Sequence, residues 1–199
     1  STGDLGLGGG IYIADSDHVS INRAAFTGNI AGGGPLGARG AGGGLRTFES
    51  SMLEMTNSAF TENVASLSGS AMGGAVAAFS GQDMAIAHST FERNAGSQGP
   101  ASAYGGGIYL EEINGAYLAD NRLLANVGAA YPSALGAGGA VGVWNSSDIS
   151  WIGNTFAQNV GAAAGEGHGG ALAINGTHAV TIYANRFDAN WAAMLGVLV

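Results

Sequence analysis

Five side chains of this sequence have the types that proton transfer on a charged substrate requires. His88 and Asp120 could act as an acid–base pair, Glu92 as a second carboxylate, and Arg93 and Arg122 as cations for an acidic ligand. Such a set, strung along one groove, would suit cleavage of an acidic polysaccharide by a lyase or hydrolase. His88 and Asp120 are 32 positions apart, so they meet only if the chain returns on itself with that period. Composition removes other chemistries. The chain has no Lys, which excludes a Walker A site, a Schiff base and a lysine general base, and no Cys, which removes thiol nucleophiles and the common zinc sites. Asp15 and Asp17 in "ADSDHV" could face calcium, but the spacings of an EF-hand and of the nonapeptide calcium repeat are both missing. The four His residues occupy unlike positions, apart from His18 and His178 in the turn after a first strand. We assign no catalytic, cofactor-binding or metal-ligating residue and no cofactor.

The elements that would bring His88 to Asp120 are written as a repeat. A word GG-[GA]-[ILV] begins at Gly8, Gly42, Gly73, Gly105, Gly138 and Gly169, and its aliphatic residues are Ile11, Leu45, Val76, Ile108, Val141 and Leu172. Counting 15 residues forward reaches Phe26, Phe60, Phe91, Leu123, Phe156 and Phe187 in every unit. Three residues later stand Asn29, Asn63, Asn94, Asn126, Asn159 and Asn190. Repeat starts differ by 34, 31, 32, 33 and 31 residues, and all of this variation falls between each Asn and the next Gly-Gly pair. One corner therefore carries loops while the rest keeps a fixed length. Twelve residues past each aliphatic start lie Arg23, Asn57, His88, Asp120, Gly153 and Ala184, one outward column in which His88 and Asp120 become neighbours.

Units of this length are too small to bury their own apolar face, so they must stack. Period-2 alternation appears twice per unit, as in Ile11/Ile13 and Val19/Ile21, and the second pair recurs as Leu53/Met55, Met84/Ile86, Ala116/Leu118, Ile149/Trp151 and Val180/Ile182. Ser-Gly at 80–81 and Asn-Gly at 114–115 and 175–176 break the chain between the pairs. With 37 Gly, no helical repeat is written here, and a propeller blade would need four strands in about 40 residues. The sequence predicts an all-β right-handed parallel β-helix of about six coils, with three short strands per coil, in a single domain over residues 1–199. In such a coil the Asn amide, both donor and acceptor, can satisfy buried corner backbone and stack into a ladder. The Phe column should stack just before it in the core, and the Gly-Gly pair should mark a corner of positive φ or close backbone approach.

The paired words GG-[GA]-[ILV] and F-x-x-N resemble the repeat signature of the polymorphic membrane proteins, the autotransporter passengers of chlamydiae. The resemblance covers nearly the whole chain and implies a right-handed β-helical passenger, surface exposure and adhesion. The chain departs from that family in having no Cys and no C-terminal membrane barrel within its 199 residues.

Net charge is −8, with 6 Arg against 14 Asp plus Glu, which argues against nucleic acid or an anionic membrane surface as partner. No stretch approaches 18 consecutive apolar residues, so no membrane insertion by this segment is expected. Sequons at Asn145 and Asn175 would matter only on a eukaryotic secretory route. The loops between units are rich in Ala and Gly and nearly uncharged, and Tyr12, Phe48, Phe79, Tyr109 and Trp144 are candidate outward residues, a composition that points to a contact surface. "STGDLGL" and "WAAMLGVLV" read as corner loops rather than caps. The expected role is a non-catalytic extracellular or cell-surface module, structural or adhesive. Its expected partners are a host receptor or carbohydrate, copies of itself stacked end to end or laterally, or further coils of a longer chain. The alternative is a polysaccharide-active enzyme or a carbohydrate-binding module.

Overall fold

The structure is a computed structural model that describes residues 5–34, 37–132 and 134–194. The terminal stretches read as uncapped loops fall partly at residues 1–4 and 195–199, outside the described residues. The chain winds right-handed through six coils, and its strands form five six-stranded sheets in which every pairing is parallel and joins residues one coil apart. Sheets are numbered here in the order the first coil enters them: Leu5–Leu7, Ile11–Ala14, Ser20–Asn22, Ala25–Thr27 and Ile30–Gly32. Register follows the sequence columns, with Val76 opposite both Leu45 and Ile108, and Phe91 opposite both Phe60 and Leu123. Among the described residues there is no helix long and apolar enough to cross a membrane.

Each expected three-strand coil is resolved into five short segments because single residues of positive φ bend it. In the first coil these are Gly8, Asp15, His18, Arg23 and Gly28, and in the fourth Gly105, Glu112, Gly115, Asp120 and Ala125. Left-handed angles cost a non-Gly residue roughly 1–2 kcal/mol. The bends persist because they stay in the ladder: the N–H groups of Gly105, Glu112, Asp120 and Ala125 donate to Ala137, Trp144, Ile152 and Ala157 carbonyls of the next coil at 2.8, 3.1, 3.0 and 3.0 Å.

Two cores of different thickness result. Sheets two, three and four enclose the wide one, filled by Leu45, Met55, Ile86, Ile108, Leu118, Val141 and Trp151. The Phe column stacks inside it, with ring centroids 4.4 Å apart for Phe26–Phe60, 5.0 Å for Phe60–Phe91 and 4.9 Å for Phe156–Phe187, close to the strand spacing that sets them. Leu123 interrupts the rings. Phe187 belongs to the stack but is 48% exposed, because no described coil lies beyond it. Sheets one and five press into a thin fin whose core is Ala65, Ala71, Ala103, Ala129 and Ala134. Nothing larger fits: a Cβ added at Gly40 would lie 1.6 Å from the Ala65 carbonyl oxygen. Each repeat word opens where fin meets sheet two, with its first Gly at positive φ, from 59° at Gly8 to 68° at Gly138.

The Asn column is a ladder. The backbone N–H and Nδ2 of Asn94 both donate to Oδ1 of Asn126 at 3.0 and 2.9 Å, and Asn126 repeats the pattern onto Asn159 at 3.0 and 2.9 Å while its Nδ2 also donates to the Phe91 carbonyl at 2.9 Å. Asn29, Asn63 and Asn190 extend the column in both directions. A second ladder follows the bend before the Phe column. Ser58 N–H donates to Ser89 Oγ, Ser89 N–H to Asn121 Oδ1, Asn121 N–H to Asn154 Oδ1, and Asn154 N–H to Asn185 Oδ1, at 3.0, 2.9, 2.9 and 2.8 Å.

Asn126 is fully buried. Replacing it with Ala strands the Asn94 N–H and the Phe91 carbonyl in a corner without water, so Asn126→Ala should lower unfolding free energy by about 1–3 kcal/mol, whereas Thr27→Ala, at an exposed position, should change it little. Urea unfolding of the two variants checks this, and equal midpoints would remove the ladder from the account of stability.

Candidate functional site

The column of Arg23, Asn57, His88, Asp120, Gly153 and Ala184 lies on the bend between sheets three and four, where all six have positive φ between 52° and 67°. His88 and Asp120 do become neighbours. His88 Nδ1 is 3.9 Å from Asp120 Oδ2, and both side chains are 60% exposed. At that distance and exposure solvent screens the two charges, and their mutual attraction is weak. Arg93 turns away from this pair: its Nε donates to Glu62 Oε1 at 3.0 Å and another of its nitrogens contacts Glu92. Arg122 lines a depression of about 430 Å³ with Asp120, Thr155, Arg186 and Asp188. The five residues are therefore brought to one region, with Asp120 common to the open pair and the Arg122 depression and Arg93 held apart by Glu62 and Glu92.

Among the described residues no loop walls this region. Only His88 and Ser89 separate strand Gln82–Ala87 from Thr90–Glu92, and only Asp120 and Asn121 separate Asn114–Ala119 from Arg122–Leu124. The length variation sits at the tip of the fin, between sheets five and one. Asp15 also occupies a left-handed bend, and Asp17 pairs with Ser51 in an isolated bridge. His178 opens strand His178–Tyr183 instead of lying in a turn as His18 does. Among the described residues no group of three or more His, Asp or Glu is gathered as a metal site.

A second region is richer in contacts. The outward face of sheet two meets the fin in a re-entrant corner lined by Tyr12, Arg46, Phe48, Phe79, Tyr109 and Trp144 from sheet two and by Leu7, Met72 and Tyr104 from sheet one. The rings pack on one another: Tyr104–Trp144 at 5.1 Å and 70°, Tyr109–Trp144 at 5.6 Å and Phe79–Tyr109 at 5.5 Å. The sequence marks Tyr109 as outward, and it does leave the sheet on that side, yet it is only 4% exposed because the fin covers it. Burial pushes its phenol pKa up, and the neighbouring Glu111, which accepts its O–H at 3.0 Å, adds to this. Arg46 lies over Tyr12, Phe48 and Phe79 with its guanidinium carbon 5.6, 5.8 and 4.7 Å from the ring centroids. Burial lowers its pKa and Tyr12 partly opposes that, and its Nε has no hydrogen-bond partner among the described residues. Neither Arg46 nor Tyr104 is singled out by the sequence pattern, although Arg46 falls at the same offset in its word as Tyr12 and Tyr109.

With this geometry established, the family comparison is specific. The model of the family described as "Right handed beta helix region" matches residues 6–197, almost the whole chain. The search of curated proteins gave no match.

The left-handed column makes a prediction that separates architecture from chemistry. Asp120→Gly relieves a φ of 52°, and the relief of roughly 1–2 kcal/mol outweighs or offsets glycine's entropic cost of roughly 0.5–1 kcal/mol. The variant should unfold at the same or a higher urea concentration than the parent, and Asp120→Val, branched at a left-handed position, should unfold at a lower one. The opposite order would show that the Asp120 side chain, not the bend, matters for stability there.

Proposed function

We propose that the chain, which belongs to the right-handed β-helix family, is a non-catalytic structural or adhesive module displayed extracellularly. The observation that carries this reading is the position of the candidate chemistry: His88 and Asp120 are the single left-handed residues of bends that every coil repeats, in the open, with no loop among the described residues to exclude water. Water exclusion and fixed orientation are what make an acid–base pair effective. The resemblance of the Gly-Gly and Phe-x-x-Asn words to those of surface-displayed passengers supports the extracellular placement. Adhesion draws support from the aromatic corner, to which the first five coils contribute Tyr12, Phe48, Phe79, Tyr104, Tyr109 and Trp144. The alternative of a polysaccharide-active enzyme draws on the His88–Asp120 pair and on Arg122 and Arg186 over one depression.

The same columns support self-association. Register does not change from coil to coil, so the ladders and the Phe stack extend equally well onto a further coil of a longer chain or of a second copy. The inward residues Val180, Ile182 and Phe187 of the sixth coil, 36%, 50% and 48% exposed, would be covered by either.

Two measurements test the proposal. Incubation with a panel of acidic polysaccharides should release no new reducing ends and no unsaturated products; activity that His88→Ala or Asp120→Ala abolishes would overturn the non-catalytic reading. Sedimentation of the 199-residue chain at micromolar concentration should reveal assembly that grows with concentration, and a monodisperse monomer would remove self-association.

A further inference from the structure

The first and sixth coils expose faces that differ in kind. At the sixth coil the Asn ladder presents a donor. The Asn190 Oδ1 and Nδ2 are both turned back to the fifth coil, where they meet Asn159 and the Phe156 carbonyl, and its N–H has no acceptor among the described residues. At the first coil the ladder presents an acceptor, because Asn29 donates to Asn63 through both its nitrogens while its own Oδ1 receives nothing among the described residues. The ladder therefore has a direction. Two sixth coils face to face would set donor against donor, and two first coils acceptor against acceptor. Only a first coil laid on a sixth coil completes the bond.

Other columns fit the same joint. Followed from strand to strand, Asp17 heads the column that reaches His178 in the sixth coil. Laid one coil beyond His178, Asp17 of a second copy would follow it as Asp120 follows His88. Tyr12 heads the column that reaches Gly142 and Ala173. It is 47% exposed at the first coil. The sixth coil carries no ring at that place, and a cavity of about 460 Å³ opens beside Ala173, Ile174 and Asn175. Rings in this corner reach into the neighbouring coil, as Tyr109 reaches Phe79 on one side and Trp144 on the other, so Tyr12 of a second copy has a place to enter. Inside, Ile182 and Phe187 would be covered by Ile21 and Phe26, the heads of their own columns. The second ladder does not continue, because Ala24 brings no side-chain acceptor to the Asn185 N–H. The joint thus has one ladder where the interior of the helix has two.

We infer that a second copy of this chain docks its first coil on the sixth coil, so that copies join head to tail in one direction only. The inference rests on the self-association proposed above and adds its polarity and its contacts. The two faces of the joint differ, so it repeats without closing and builds a polar filament.

The chain has no Cys, so an introduced disulfide reports the joint without background. Ser20 and Thr181 are exposed and stand at the two ends of one outward column of sheet three. Across a head-to-tail joint they become register partners, at the strand spacing of about 4.8 Å that a disulfide can span. Ser20→Cys and Thr181→Cys are made separately in the 199-residue chain and oxidised alone and mixed, with sedimentation of the parent alongside. The mixture should yield a disulfide dimer holding one of each, and neither variant alone should form one. Adding Ile182→Asp to the Thr181→Cys chain places a carboxylate in the joint and should lower that yield at least about tenfold. If Ile182→Asp unfolds the sixth coil, the mixture of the two Cys variants decides. Assembly in sedimentation without the mixed disulfide, or with each variant cross-linking to itself, overturns the head-to-tail joint and leaves self-association to another surface. A monodisperse parent chain with no cross-link removes self-association and the joint with it.

Discussion

Everything in this fold depends on one requirement: at each bend the buried backbone N–H that points away from its own sheet must find an acceptor in the adjacent coil. A strand meets this through parallel pairing and the Gly-Gly corner through a carbonyl of the next coil, as Gly106 N–H does with Gly138 at 3.0 Å, but the residues after the bends on either side of the Phe column do not. The chain solves it with a side-chain oxygen supplied one coil further on. Asn63 N–H finds Asn94 Oδ1 at 3.0 Å, and Ser89 N–H finds Asn121 Oδ1 at 2.9 Å. Asn does more than Ser there, because its Nδ2 returns to a carbonyl of the preceding coil, as Asn121 does to Ile86 at 2.7 Å. The ladders lock the register, and the register places Phe over Phe and aliphatic over aliphatic. A slip of one residue would break all of these columns together.

The left-handed bends are the cost of such sharp turning. Among the described residues twenty non-Gly positions have positive φ, and they include Asp, Glu, His, Arg and Asn. Polar side chains are enriched at these positions for two reasons: a left-handed residue at a convex bend points outward, and Asn and Asp tolerate the conformation best. A column of His, Asp, Asn and Arg on a β-helix is therefore what the backbone alone would select. The proximity of His88 to Asp120 needs no substrate to explain it, and this is why exposure and enclosure weigh more than residue type in reading the site.

Much of this was legible in the sequence because the fold is periodic. The fixed interval from Ile108 to Leu123 to Asn126, repeated in every unit, specifies which residues stack before any contact is seen. The inward pairs such as Met84/Ile86 and Ile149/Trp151 are buried as their alternation requires. The second ladder was missed for a chemical reason: its column reads Ala24, Ser58, Ser89, Asn121, Asn154, Asn185, and Ser and Asn serve the same acceptor role without sharing a name. The five-part division of the coil was hidden because a single left-handed residue leaves no mark when it is Asp or Ala and not Gly. The aromatic corner was seen only as scattered outward residues, since the approach of Tyr104 to Trp144 depends on how the fin folds back, a long-range packing event with no local signature.

The fin explains why a concave surface exists on an otherwise convex prism. Sheets one and five approach so closely that only Gly and Ala fit between them; a Cβ at Gly136 would lie 1.9 Å from the Gly161 carbonyl oxygen, and one at Gly167 would lie 1.7 Å from that of Ala192. A lobe that thin cannot merge with the wide core, so it stands away from sheet two and leaves a corner between them. Burying rings in that corner covers apolar surface at about 25 cal/mol per Å², which offsets part of what the fin's small side chains fail to contribute. The same rings form a wall over several coils, and Gly142, where a Cβ would lie 2.6 Å from Trp144 Cζ3, lets the Trp144 ring pack close to the sheet without disturbing either ladder. Stability in this chain is carried by the ladders and the inner columns, and the corner outside them is free to vary in sequence.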